Sequence, residues 1–197
     1  MYDCELDFGL LSLTTADLFA EMGYGSMVPE EQITVLTTSM LEDISSWVTP
    51  RCTFSLFSGQ VDFDSVSLEG GGVLSVGETI AFLLKGSERF ALFSATAGMA
   101  FQTYLESLKA EDDILKSFIA DMIGTCIAEK TGEYMECLLE KELQGERHTN
   151  RLSPGYCGWH LTGQKALFRL MGGNPCGIGL SEVCLMTPIK SISGIIG

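Results

Sequence analysis

Positive charge is scarce in this 197-residue chain: 12 Lys and Arg stand against 26 Asp and Glu, a formal net charge of −14 and a pI near 4.4. Phosphate contacts need clustered basic side chains, so this balance argues against nucleic acid as a partner. Long apolar runs are missing as well, which removes the expectation of a membrane-spanning helix. The start, Met1-Tyr2-Asp3-Cys4-Glu5, lacks the basic and apolar stretches of a secretory leader. The seven cysteines, an odd number, are therefore expected to be thiols in a reducing cytoplasm. No Cys-x-x-Cys pair occurs, and although Cys157 and His160 have a ligand-like spacing, nothing completes a zinc site around them. Repeats and low-complexity linkers are also lacking.

What is present, 46% hydrophobic and 19% charged residues, describes a compact globule with one sizeable core. Residues 12–23 read as a helix capped by Thr14 or Thr15 and stopped by Gly23. A second helix opens at Pro29 with Glu30 and Glu31 at its positive end. It carries Ile33, Leu36, Met40, Ile44 and Trp47 on one face and stops before Pro50. These two helices are expected to form a small N-terminal lobe over 1–50, with residues 51–197 making the main domain.

Alternation from Cys52 to Phe57 begins a sheet, and the β-like pieces from Val61 to Leu74 are broken by Gly70-Gly71-Gly72. Without a strand-to-helix crossover, those glycines read as a tight hairpin rather than a phosphate cradle. A helix over 77–85 and a strand over 89–95 follow. From Met99 to Leu143 the pattern is helical, broken at Ala110-Glu111-Asp112-Asp113, with a buried stripe of Ile114, Phe118, Met122, Cys126 and Leu138. A helix over 162–171 ends at Gly172-Gly173. Strands over 180–186 and 191–196, split by Pro188, close the chain.

Arg151-Leu152-Ser153-Pro154-Gly155-Tyr156 places a fixed cation, a rigid turn and an aromatic hydroxyl in six residues. A guanidinium takes a carboxylate bidentately, and glycine lets backbone approach a ligand, so the segment suits a small zwitterion. The alternative is a polar loop leading into the next helix, with Tyr156 capping the core. Glu129, on the long helix, reads either as a solvated charge or as part of a site.

Arg151 to Tyr156, then a helix, then Ser181-Glu182, Met186-Thr187-Pro188 and Ser191-Ile192-Ser193-Gly194 resemble, in order, the motifs of the reactivation domain of cobalamin-dependent methionine synthase. Phe93 to Gly98 and Ala128-Glu129 through Glu133-Tyr134 are similar to further elements of that family. The likeness covers about residues 88–197, in the manner of a short, free-standing form. It implies an α+β fold: a twisted, largely antiparallel sheet surrounded by helices. It also implies a function in which S-adenosylmethionine and an electron restore methylcobalamin from inactive cob(II)alamin. The cobalamin would be carried by a partner, a cobalamin-binding methionine synthase or related corrinoid protein, with an electron donor such as flavodoxin. No catalytic acid or base is implied.

By the same resemblance Arg151 meets the amino-acid part of the ligand, Pro154 and Gly155 shape the backbone beside it, and Tyr156 supplies a wall or a hydroxyl. Glu129 balances cationic charge. Glu146, five residues before Arg151 where the family's second acid stands six before, is the other candidate acid. The family's early aspartate and its C-terminal tyrosine pair have no counterpart up to Gly197, so either other residues replace those contacts, a partner completes the site, or the ligand role has weakened. A different class of function stays open, a docking module for a corrinoid protein without a methyl-donor site of its own. A Rossmann-type methyltransferase is disfavoured, since no glycine-rich turn follows a first strand.

Overall fold

The computed structural model describes all residues from Met1 to Gly197. A curled antiparallel sheet lies between two groups of helices. Its backbone is the eleven-residue strand β2 (Arg51–Val61), whose successive halves pair on one side with β1 (Tyr2–Glu5) and with β3 (Ser65–Leu68). β3 continues into β4 (Gly72–Ser75) through the expected glycine hairpin. On its other side β2 pairs with β5 (Arg89–Thr96), and β5 with β8 (Ser191–Ile196), giving the order β4-β3-β2-β5-β8. A separate hairpin joins β6 (Gly179–Leu180) to β7 (Met186–Thr187). The α+β class and antiparallel order follow the expectation.

The alternation of β5 feeds two cores. Ala91, Phe93 and Ala95 point into a cluster of 25 buried residues with α1 (Thr15–Glu21), α2 (Glu31–Ser45), α4 (Met99–Ala110) and the 29-residue α5 (Ile114–Glu142). Phe90 and Leu92 point the other way, into 16 buried residues shared with α3 (Glu78–Leu83) and α6 (Gly163–Leu170). Two faces of one strand thus hold two helical layers apart, the consequence of a period-two side-chain pattern. The break between α4 and α5 falls where the acidic run places it, and Asp113 caps α5 by accepting from Lys116 N at 3.0 Å.

Three expectations differ from the fold. The buried face of α5 is Ile119, Ile123, Cys126, Ile127, Met135 and Leu139, so of the expected stripe only Cys126 is buried, while Ile114 and Phe118 are exposed and Met122 and Leu138 only half-buried. The first fifty residues do not close on a core of their own: Leu6, Leu11, Leu18, Met40, Leu41, Ile44 and Val48 are buried in the same cluster as Phe93 and Ile127. β1 also extends the main sheet. Helices as short as α1, seven residues, cannot bury both faces alone, and the apolar stripe of α5 is the surface they share. Residues 180–186 are not one strand. Ser181 Oγ accepts from Leu185 N at 3.0 Å, folding the segment into a turn between β6 and β7 with Cys184 left-handed at φ 67.

Candidate functional site

The Arg151 segment leaves the sheet at its open edge. Leu152 exchanges two backbone hydrogen bonds with Ile195 of β8, at 2.9 and 2.8 Å, and the chain then turns away at Pro154. Gly155 holds φ +99, a conformation closed to ordinary side chains, and donates to Trp159 O at 2.8 Å. Trp159, only 1% exposed, anchors this loop in the second core. It is Trp159 that caps the core, while Tyr156 stands 71% exposed. The departure of the loop from β8 opens a groove of about 670 Å³, lined by Arg151, Pro154 and Tyr156 among others. That volume lies within the ordinary range for small-molecule sites, about 300–1,000 Å³.

On the α5 side of the groove the Arg151 guanidinium sits between two carboxylates. Nη2 lies 3.1 Å from Glu129 Oε2 and Nε lies 2.9 Å from Glu136 Oε2. Glu129 and Glu136 are separated by two helical turns, and the residue between them on that face is Gly132. A Cβ on Gly132 would collide with Arg151 Nη1 and lie 2.5 Å from Ile192 Cδ1. The bare backbone of this turn is therefore what lets the guanidinium lie across the helix. Burial pushes the Glu136 carboxyl up, and the adjacent Arg151 pulls it down; burial wins, so the group sits above its ordinary value. With one cation and two anions, the ionised cluster keeps a net negative charge.

The groove brings together Glu129, Arg151, Pro154 and Tyr156. Gly155 shapes the loop without lining the groove. Glu146 is elsewhere: its carboxylate pairs with Arg89 at 3.2 Å, beside a different cleft near the end of β8. The chain between Glu146 and Arg151 runs along the end of the sheet, with Thr149 N donating to Gly197 O at 2.9 Å, so an acid five residues before the arginine cannot return to it. Glu136, which sequence reasoning did not single out, is the second carboxylate beside Arg151. Its signal was the spacing Glu129-Gly132-Glu136 on one helical face.

At the other lip, Lys190 is fixed by Asp121 at 2.9 Å and Thr125 at 2.9 Å, both on α5, and Ile189 N donates to Gln102 Oε1 of α4 at 2.8 Å. These bonds hold the turn after β7 beside the groove. Tyr156, Leu161, Leu185 and Ile189 line it and are themselves exposed, giving the mouth an apolar rim. No residue before Ile80 lines the groove.

Residues 72–197 match the family model described as "Vitamin B12 dependent methionine synthase, activation domain", and the chain belongs to that family. The matched stretch contains every groove residue. Among solved structures, the one described as the MetH reactivation domain bound to AdoHcy shares the fold at a TM-score of 0.78 and 17% identity, over 99% of this chain and 77% of that one. No curated protein sequence matches the chain. No helix is long and apolar enough to cross a membrane.

Proposed function

We propose that the groove binds S-adenosylmethionine and presents its sulfonium methyl to a cobalamin held by another protein, a cobalamin-dependent methionine synthase or related corrinoid protein. The observation that carries this reading is Arg151, held between Glu129 and Glu136 on the wall of an open groove. The ligand combines a carboxylate with an ammonium and a sulfonium, and the cluster combines one guanidinium with two carboxylates. Each charge type thus meets its complement, with Arg151 serving the carboxylate and Glu129 and Glu136 the cationic centres. Pro154 and Gly155 set the loop backbone, and Tyr156 walls the mouth. The description of the related solved structure, which is bound to AdoHcy, supports the ligand class.

When the ligands are bound, S-adenosylmethionine supplies the methyl group, and a low-potential donor of the flavodoxin class supplies one electron to the partner's cob(II)alamin. The residues of this chain bind and orient, and no side chain is asked to move a proton. The exposed apolar rim formed by Tyr156, Leu161, Leu185 and Ile189 suits a covering partner surface. Mixing the protein with a cob(II)alamin-loaded synthase lacking this domain, the electron donor and S-adenosylmethionine should yield methylcobalamin, read by absorbance, only when all components are present. Binding of the two proteins without methylation in the full mixture would instead favour a docking module.

A further inference from the structure

Apart from the charged cluster, the groove contains a neutral polar pair that the foregoing reading leaves unused. Gln164 of α6 and Ser193 of β8 both line it, and each is 3% exposed. Gln164 Nε2 donates to Ser193 Oγ at 3.0 Å. Gln164 Oε1 is buried with no partner. An unpaired buried amide oxygen is costly to keep, so on a groove wall it is a ready acceptor for a water or for a ligand that displaces it. The Ser193 hydroxyl accepts its bond from Gln164 and donates none within the protein, which leaves one acceptor and one donor side by side.

The pair lies across the sheet edge from Arg151. Along β8, Ile192 faces Gly132 and the Arg151 guanidinium, while Ser191 and Ser193 project to the opposite face, toward α6. The groove therefore wraps over the edge of β8 and has two chemically different ends. One is charged. The other is neutral and walled by Ile80, Leu152 and Met186, which belong to or pack against the second core. The edge itself is open at this point: Ile195 spends its backbone bonds on Leu152, so antiparallel alternation turns the Ser193 N–H and C=O outward as well, away from β5.

We infer that Gln164 and Ser193 form a subsite for a flat heterocycle carrying an exocyclic amine beside a ring nitrogen, which is the adenine of the ligand proposed above. The amine donates to Gln164 Oε1, and the ring nitrogen accepts from Ser193 Oγ–H. A side-chain amide is suited to this edge of adenine, and the apolar walls cover the ring faces. The inference rests on the S-adenosylmethionine reading.

Two ligands separate it from that reading: S-adenosylhomocysteine, and its analogue with unsubstituted purine in place of adenine, which lacks the 6-amine. By titration calorimetry the wild-type protein should bind the adenine compound about tenfold more tightly. Gln164→Leu, close in volume, should bind both at the weaker level, and its unfolding midpoint checks that it is folded. Equal affinity of the wild-type protein for the two compounds would overturn the subsite and leave the ligand reading standing, as would a preference preserved in Gln164→Leu. Absence of binding by either compound to the wild-type protein would overturn the ligand reading and this inference together. If Gln164→Leu does not fold, Ser193→Ala takes its place: it should bind the adenine compound several-fold more weakly than wild type, and an unchanged affinity in the folded variant would overturn the subsite.

Discussion

Gly132→Ala separates the role of the α5 turn in folding from its role in the site. Elsewhere in an exposed helix the change would stabilise by about 1 kcal/mol through helix propensity. Here the new methyl would overlap Arg151 Nη1 and stand 2.5 Å from Ile192 Cδ1, against an ordinary carbon–carbon contact of about 3.5–4.0 Å. Both obstacles are the far ends of side chains, so each can retreat by about an ångström without moving backbone. Overpacking of this kind costs about 1–3 kcal/mol, and the propensity gain offsets part of it. The expected net destabilisation is about 0–2 kcal/mol, a fall in the unfolding midpoint of at most about 8 °C. Binding should suffer more. A guanidinium pushed off the helix no longer meets Glu129 and Glu136 together, and losing hydrogen bonds to a charged group costs about 1.5–3 kcal/mol, or roughly 10- to 150-fold in affinity. Chemical denaturation and calorimetric titration with S-adenosylmethionine measure the two effects on the same preparation. A variant that binds as well as wild type would refute the proposed seat of Arg151, and one that loses more than about 4 kcal/mol of stability would show Gly132 to be a folding residue first.

Glu146→Gln should leave ligand affinity unchanged, because its partner Arg89 lies away from the groove and an exposed pair contributes about 0–1 kcal/mol; Glu136→Gln should weaken binding severalfold, and titration of both variants exposes a reversed order. Gly194→Ala would drive a methyl into the Leu152 carbonyl and to 2.9 Å from Phe93 Cε1, and since backbone must move, denaturation should report a loss of about 2 kcal/mol or more. His148 titrates above its ordinary range, chiefly through its bond to the Thr149 carbonyl and then through Glu140 and Glu136. Its protonated form is favoured by the fold, so its contribution is complete below pH about 6.5 and disappears as pH rises through the folded value. The stability difference between wild type and His148→Gln should shrink over that rise, and a difference constant with pH would contradict the assignment.

The sequence made local features legible and left through-space ones hidden. Arg151, Pro154 and Gly155 could be read as a ligand-shaped loop because cation, ring and glycine act within a few residues. The boundary between α4 and α5 was visible in its acidic cap. Glu136 and Gly132 escaped notice because a glycine within a helix reads first as a propensity penalty, and its purpose emerges only when an arginine from a distant loop crosses that turn. Trp159 takes the core-capping place that the polar-loop alternative gave to Tyr156 for a similar reason: either aromatic can seal a loop, and the bond from Gly155 N to Trp159 O brings Trp159 inward. β1 was missed because four residues of mixed polarity carry little strand signal until β2 offers them an edge. Gln164 looked like one more polar position on a short helix, and only its burial beside Ser193 gives it meaning.

The most direct measurement is a calorimetric titration of S-adenosylmethionine into the wild-type protein and into Arg151→Ala, with unfolding curves recorded for both. Saturable binding by the wild-type protein, weakened about tenfold or more in a variant that remains folded, is the predicted result. Equal heats from the two folded proteins would remove Arg151 from the site and contradict the account.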